Sequence, residues 1–375
     1  MTQNKQQSTP HRGVIIRILA MAAAGLLFSG CAKRGGKVIA ATANAEGQQV
    51  YKVRTWSRLD CSAAPFIIGD RAGFFKEAGL EVVYTGEVAS AQRLATVLSG
   101  DNDIYGAHPN AIAVAVAGGA PIKGVAVGDH EPGWEITDPY LEHMWWVSHK
   151  DGSLKTIEDF KTFPGTIKMQ SISRNQCQEL MTDMLLDRLG LLKENLDYIL
   201  LPDIEGIQSL KQRLVDIITP HPPFFKATEE TGIANVLITS RQIAGLEGGT
   251  TLYAFTEEFI KNNPEVVKRF VYAIKKADRY NNDNPEISAK WTEEAIGVPV
   301  RANHWHAREA KFEDKDIQFW IDGAKKSGAI PPNVNLVTAD IAIHDFEVYG
   351  AEDYALTYDD RGNLTVPGPR LTAGN

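Results

Sequence analysis

The residues best suited to chemistry in this chain sit in short polar breaks that follow apolar runs. Trp56, Ser57 and Ser62 follow the run Tyr51–Trp56, and His108 and Asn110 follow Asp103–Ala107. Glu131 and Trp134 lie in the polar stretch 129–143, and His221 follows Val215–Thr219. Ser171, Ser173, Arg174 and Asn175 stand between a strand-like run and a long helical pattern. Hydroxyls, amides and a guanidinium bind anions through hydrogen bonds, and indoles stack on flat solutes. The segment Met169–Asn175 would add free backbone N–H groups and the positive end of a helix. Each residue also has a plainer role open to it. Trp56 suits a core, Ser171 and Ser173 suit helix caps, the histidines suit bonds to backbone, and Glu131 suits a hinge clasp.

A second chemistry is metal binding. His108, His130, His143 and His221, with Asp129, Glu131 and Glu142, supply imidazoles and carboxylates of the kind that first-row metals take. No pair among them has i, i+4 spacing within one helical pattern, so an organic solute leads and a metal or metal complex is the alternative. Catalysis has no sequence support. GxSxG, HExxH, the phosphate-binding GxxxxGK[ST] and a GxGxxG after a strand are all missing. Neither catalytic residues nor a cofactor is expected.

The elements that position these residues alternate strand and helix. The stretch from Tyr51 to Tyr84 reads as strand, polar loop, helix stopped at Gly79, and strand, which is a βαβ unit. Its right-handed crossover leaves the loop 56–62 at the carboxyl edge of a parallel sheet, where ligands of open α/β sheets bind. Alternation continues to Val127, breaks at the acidic, aromatic loop 129–143, and resumes from Met144 to Ile238. A glycine-bearing loop follows from Thr239 to Thr251, then a strand at 251–255 and amphipathic helices at 257–281, 286–296 and 314–327. The tail beyond Gly350 has no readable pattern.

Three passages carry a family resemblance: Gly73-Phe74-Phe75-Lys76-Glu77-Ala78-Gly79-Leu80, Leu98-Ser99-Gly100-Asp101-Asn102-Asp103-Ile104 and Gly118-Gly119-Ala120-Pro121-Ile122. From about Val53 to Phe346 the chain resembles solute-binding proteins of ABC importers, of the nitrate, sulfonate, taurine and thiamine-pyrimidine-precursor type. The resemblance implies a two-lobed α/β fold of the type II periplasmic-binding-protein kind, each lobe an α/β sheet sandwich, joined by two crossovers. Lobe 1 is expected at 51–129 and 251–350, lobe 2 at 144–238, and the crossovers at 130–143 and 239–250. It implies a monomer that captures a small solute in the cleft and passes it to a membrane permease and its ATPase. An exported ligand sensor without transport is the other reading. Pyrimidine-synthesising enzymes share the fold branch, but their cysteine-rich iron-binding motif is missing here.

Composition agrees with an exported globular protein. The chain has 375 residues, 43% hydrophobic and 23% charged, with a formal net charge of −8, which disfavours nucleic acid and anionic membrane surfaces. Lys5, Arg12 and Arg17 precede an apolar run, Ile18–Phe28, that ends in Ser29-Gly30-Cys31. This run is shorter than the roughly 20 residues of a membrane span and reads as an export signal over 1–30. Small residues before Cys31 resemble a lipobox, which implies a lipid-anchored, extracytoplasmic protein with 31–50 as its tether. Loss of the leader would leave the mature chain three units more negative. Cys61 and Cys177, far apart and without CxxC or zinc spacing, are expected as independent buried thiols.

Overall fold

The computed structural model describes residues 38–45, 49–347, 357–358 and 364–365. The expected signal segment 1–30 and Cys31 lie outside the described residues, as do residues 32–37 and 46–48 of the expected tether and most of the tail 351–375.

The strands and helices follow in this order. The first part of the chain holds β1 (Thr42–Ala43), β2 (Gln49–Thr55), α1 (Ala63–Arg71), α2 (Phe74–Glu77), β3 (Leu80–Tyr84) and α3 (Arg93–Leu98). Next come β4 (Tyr105–Ala107), α4 (Pro109–Ala117), β5 (Ile122–Val127), β6 (Trp145–His149) and β7 (Ile167–Ser171). After them run α5 (Cys177–Leu189), β8 (Leu196–Leu200), α6 (Asp203–Lys211), β9 (Ile217–Ile218), α7 (Phe225–Glu230) and β10 (Ala234–Thr239). The chain returns through α8 (Ser240–Ala244), β11 (Leu252–Thr256), α9 (Glu257–Asn262), α10 (Pro264–Asp283) and α11 (Pro285–Ile296). It ends with α12 (Asp314–Lys326), α13 (Thr338–Ile341), β12 (Thr357–Tyr358) and β13 (Leu364–Thr365).

The first βαβ unit forms as its sequence requires: β2 and β3 pair in parallel, Tyr51 opposite Leu80 through Thr55 opposite Tyr84. Phe66 of α1, Phe75 of α2 and Phe270 of α10 meet with ring centroids 6.1–6.5 Å apart and seal this core. A second small sheet has the order β4-β11-β5. Its middle strand comes from the returning segment and pairs antiparallel with both neighbours. A sequence-distant strand therefore holds together the edge that carries His108. The largest sheet has the order β10-β6-β9-β7-β8, with β7 parallel to both β8 and β9.

Local chemistry explains several boundaries. α5 stops at Gly190, which adopts φ 71°, the left-handed conformation that glycine takes without cost. It begins at Cys177, past Asn175, which is itself left-handed (φ 58°) and cannot lie in a right-handed turn. The loop after Thr239 is more ordered than expected, since Thr239 and Gln242 form a capping box that nucleates α8. No helix among the described residues is long and apolar enough to cross a membrane.

Candidate functional site

Between the edge of the β4-β11-β5 sheet and the loops around β7 and β9 lies a cavity of about 90 Å³. One wall carries Arg58, Ser62, Arg93, His108, Asp129 and Tyr253; the facing wall carries His143, Gln176, Cys177 and His221. Residues from eight separate stretches of chain converge here.

Arg58 is 4% exposed and lies over the rings of Trp56 and Phe66, 4.2 and 4.0 Å from their centroids. Its hydrogen bonds go to the hydroxyl of Thr55 (3.1 and 3.3 Å) and to that of Ser62 (3.1 Å). Among the described residues no carboxylate lies within ion-pairing distance of it. Burial lowers its pKa to about 10, so the group remains a cation at neutral pH. Arg93, by contrast, is neutralised by an ion pair with Asp60.

A histidine cluster borders the same cavity. His143 is central: its ring centroid lies 4.6 Å from His108, 5.1 Å from His221 and 4.7 Å from His304. His108 caps α4, and its Nδ1–H donates to the carbonyl of Thr250 at 2.7 Å. His143 is 2% exposed, and neither ring nitrogen has a hydrogen-bond partner among the described residues. Burial, then the neighbouring His108, His304 and His221, hold its pKa well below the ordinary value, so the ring is neutral. Cys177, the first residue of α5, places its sulfur 3.5 Å from Nε2 of His221. His221 in turn directs Nδ1 toward Asp203 at 3.5 Å. Burial alone would raise the Cys177 thiol, but His108 and His221 bring it down to about 6. Burial would lower His221, but Asp203 and Cys177 raise it to about 10. Cys177 and His221 thus each favour the other's charged form. Such a pair can act as a nucleophile or as a set of metal ligands.

The loop carrying His304 and His306 is fastened by α10. Asn281 donates to the His304 carbonyl at 2.9 Å and Asn282 to the His306 carbonyl at 2.8 Å. His306 pairs with Asp129 at 2.8 Å. Burial would raise Asp129, yet His304, His306 and His108 hold it well below the ordinary carboxylate range.

The residues expected from sequence are distributed as follows. Ser62, His108 and His221 line the cavity. Trp56 is fully buried in the apolar core beneath Arg58, and Ser57 bonds through its N–H to Gly86. Trp134 is 62% exposed, with Arg241 over its ring. Glu131 is 1% exposed and joins the two crossovers: it accepts from the hydroxyl of Ser240 and from the N–H of His143 (3.0 Å). Ser171 donates to the backbone carbonyl of Ser173 at 2.9 Å, so its hydroxyl serves its own loop. Arg174 pairs with Glu179 at 2.6 Å, and Asn175 donates its N–H to Glu179 at 2.9 Å. Asn110, Arg174 and Asn175 border a separate cavity of about 180 Å³. His130 bonds to the Glu131 carbonyl and faces another cavity. Sequence reasoning passed over Arg58, Arg93 and His304, and took Cys177 as a plain buried thiol. The available signals were a cysteine at a helix start and the His304-Trp305-His306 spacing.

The family model described as NMT1/THI5 like matches residues 61–288. No curated protein matches the chain. Among solved structures, the periplasmic nitrate-binding protein NrtA from Synechocystis PCC 6803 superposes with a TM-score of 0.66 at 13% identity. The match covers 79% of this chain and 87% of that one. The ligand-binding component of an ABC-type import system from Staphylococcus aureus, with zinc bound, gives 0.63 at 12% identity, covering 80% and 99%. The alkanesulfonate-binding protein SsuA from Xanthomonas axonopodis pv. citri, bound to MOPS, gives 0.61 at 16%, covering 81% and 99%. At such identities the likeness carries the fold, which is the two-lobed periplasmic-binding-protein fold.

Proposed function

The chain belongs to the NMT1/THI5-like family, and from that premise we propose that it is the extracytoplasmic solute-binding subunit of an ABC importer. Its solute is a small anion, captured between lobes and handed to a permease. The lobes are 51–129 with 251–350, and 144–238, linked through 130–143 and 239–250. The observation that carries the anion is Arg58, a buried cation on the cavity wall whose bonds go to hydroxyls rather than to a carboxylate. A bulk charge of −8 repels anions, so the attraction has to be local and fixed.

Size narrows the class. A cavity of about 90 Å³ holds about three water-sized groups, which suits nitrate, a short carboxylate or a small sulfonate. An aromatic acid loses its motive, since Trp56 is in the core and Trp134 on the surface. The alignment of relatives named for sulfonate and nitrate supports the same class. The role is binding rather than turnover, and a lipid anchor at Cys31 would keep the protein beside its permease.

The test is a thermal-shift series with nitrate, formate, acetate, methanesulfonate and taurine, followed by calorimetry on any hit. At 100-fold its dissociation constant, a true solute adds about 2.7 kcal/mol to stability. A flat response to the whole series, in chain shown to be folded, would end the anion reading.

A further inference from the structure

We propose that the interlobe cavity is also a built metal site, in which His108, His143, Cys177 and His221 hold one late first-row divalent cation such as Zn²⁺. This goes beyond solute capture and does not depend on it.

The geometry is that of a ligand set. One donor atom each from His108, His143 and Cys177 lie within 4.8 Å of one another, and Nε2 of His221 lies 3.5 Å from the same sulfur. With bonds of about 2.0–2.3 Å, ligand atoms of a tetrahedral ion stand about 3.4–3.8 Å apart. The His221–Cys177 spacing already meets that range, and binding draws His108, His143 and Cys177 together from separations of at most 4.8 Å.

The outer contacts are those a metal site needs. A ligating imidazole normally gives its other N–H to a carbonyl or carboxylate, which fixes the tautomer and aims the free lone pair. His108 does so through Thr250, and His221 faces Asp203. His143 supplies the independent observation: it is buried, and both its nitrogens are unpartnered among the described residues. Buried polar atoms in folded proteins are almost always satisfied. A cation bound to one nitrogen satisfies it without needing a proton. Three imidazoles and a thiolate select zinc, cobalt, nickel or copper over the oxygen-seeking magnesium and calcium.

Two competing readings use part of the cluster. A nucleophilic thiol needs Cys177, His221 and Asp203, and leaves His108 and His143 without work. A sulfur-free site is the trio Asp129, His143 and His304, whose donors also lie within 4.8 Å of one another.

The experiment is a titration of the full chain, purified without a polyhistidine tag and stripped with chelator, with Co²⁺ and then Zn²⁺, no anionic solute being present. The expected result is one Co²⁺ per chain, with tetrahedral visible bands and a near-ultraviolet thiolate-to-cobalt charge-transfer band, both bleached by equimolar Zn²⁺. Cys177→Ser should abolish the charge-transfer band, and His143→Ala should weaken Zn²⁺ binding by at least tenfold to a hundredfold. His130→Ala, outside the cluster, should bind as wild type does. The proposal is overturned by failure of the wild-type chain to bind Co²⁺ or Zn²⁺. Binding without a charge-transfer band, or a band that survives Cys177→Ser, overturns it equally. The wild-type spectrum decides even if a variant misfolds, and failure here leaves anion binding untouched.

Discussion

Arg58 and Glu131 show how burial turns single charges into devices. Arg58 is held flat between Trp56 and Phe66, so its donors are aimed before a solute arrives, and little entropy is lost on binding. Charge-assisted hydrogen bonds of this kind are worth about 1.5–3 kcal/mol. Arg58→Met, which keeps the stacking volume, should therefore weaken the anion by roughly tenfold to a hundredfold in calorimetry while the melting curve moves little. Arg58→Lys should not restore affinity, because an ammonium neither stacks flat nor offers a planar fork. Equal affinity in both variants would remove Arg58 from the site. Glu131 works in the opposite sense. Burial pushes its carboxyl up to about 8, against the lowering effect of Ser240 and the His143 N–H. The native state thus holds a proton that the unfolded chain releases near 4.5. Its contribution to stability is complete below that pH and is lost as pH rises through 8, by up to about 5 kcal/mol. Urea unfolding across this range, with chelator present, should show wild type losing stability relative to Glu131→Gln. Parallel profiles would show that the carboxyl titrates normally.

The element that brings these residues together is the pair of crossovers, and glycine is what lets them touch. A Cβ on Gly249 would stand 2.5 Å from the backbone nitrogen of Glu131 and 2.6 Å from the carbonyl carbon of His130. Both are backbone atoms and cannot rotate aside. Gly249→Ala should cost about 1–3 kcal/mol in chemical unfolding, as overpacking does, and should also weaken solute binding. An unchanged midpoint would show that the crossovers part freely. The strands at this level were readable in the sequence, since Leu80–Tyr84 and Ile122–Val127 follow β-rich runs bounded by glycine and proline. The fold was readable for the same reason, together with the family wording of Gly73–Leu80. The site was legible only in part. His108 and His221 announce themselves as polar residues just after strands. His304 and Arg58 do not, because their position depends on Asn281 fastening a loop and on two rings sandwiching a guanidinium. Such contacts span distant sequence and leave no local pattern. Arg174 misled for the converse reason: a cation beside a helix start looks like an anion receptor, but Glu179 lies one turn on and takes the charge.

For the whole molecule the question is what holds the cavity closed. Only contacts made to both walls at once favour the closed state over an open one. Asn110, from the start of α4, provides such a contact: its Nδ2 donates to the carbonyl of Asn175 at 3.0 Å, across to the loop before α5. Removing one neutral hydrogen bond costs about 0.5–1.5 kcal/mol. Here that cost falls on closure, since Asn175 belongs to the other wall. An open state therefore gains population in Asn110→Ala, and apparent affinity falls by the fraction of molecules no longer competent. We expect a twofold to tenfold weaker solute from that arithmetic, with a melting temperature close to wild type. Small-angle scattering supplies the independent readout. The wild-type chain should contract on saturation with its solute, and Asn110→Ala should start more expanded and contract to the same final radius. If both proteins scatter identically with and without solute, the cavity is a fixed pocket, and Asn110 contributes to rigidity rather than to a moving latch.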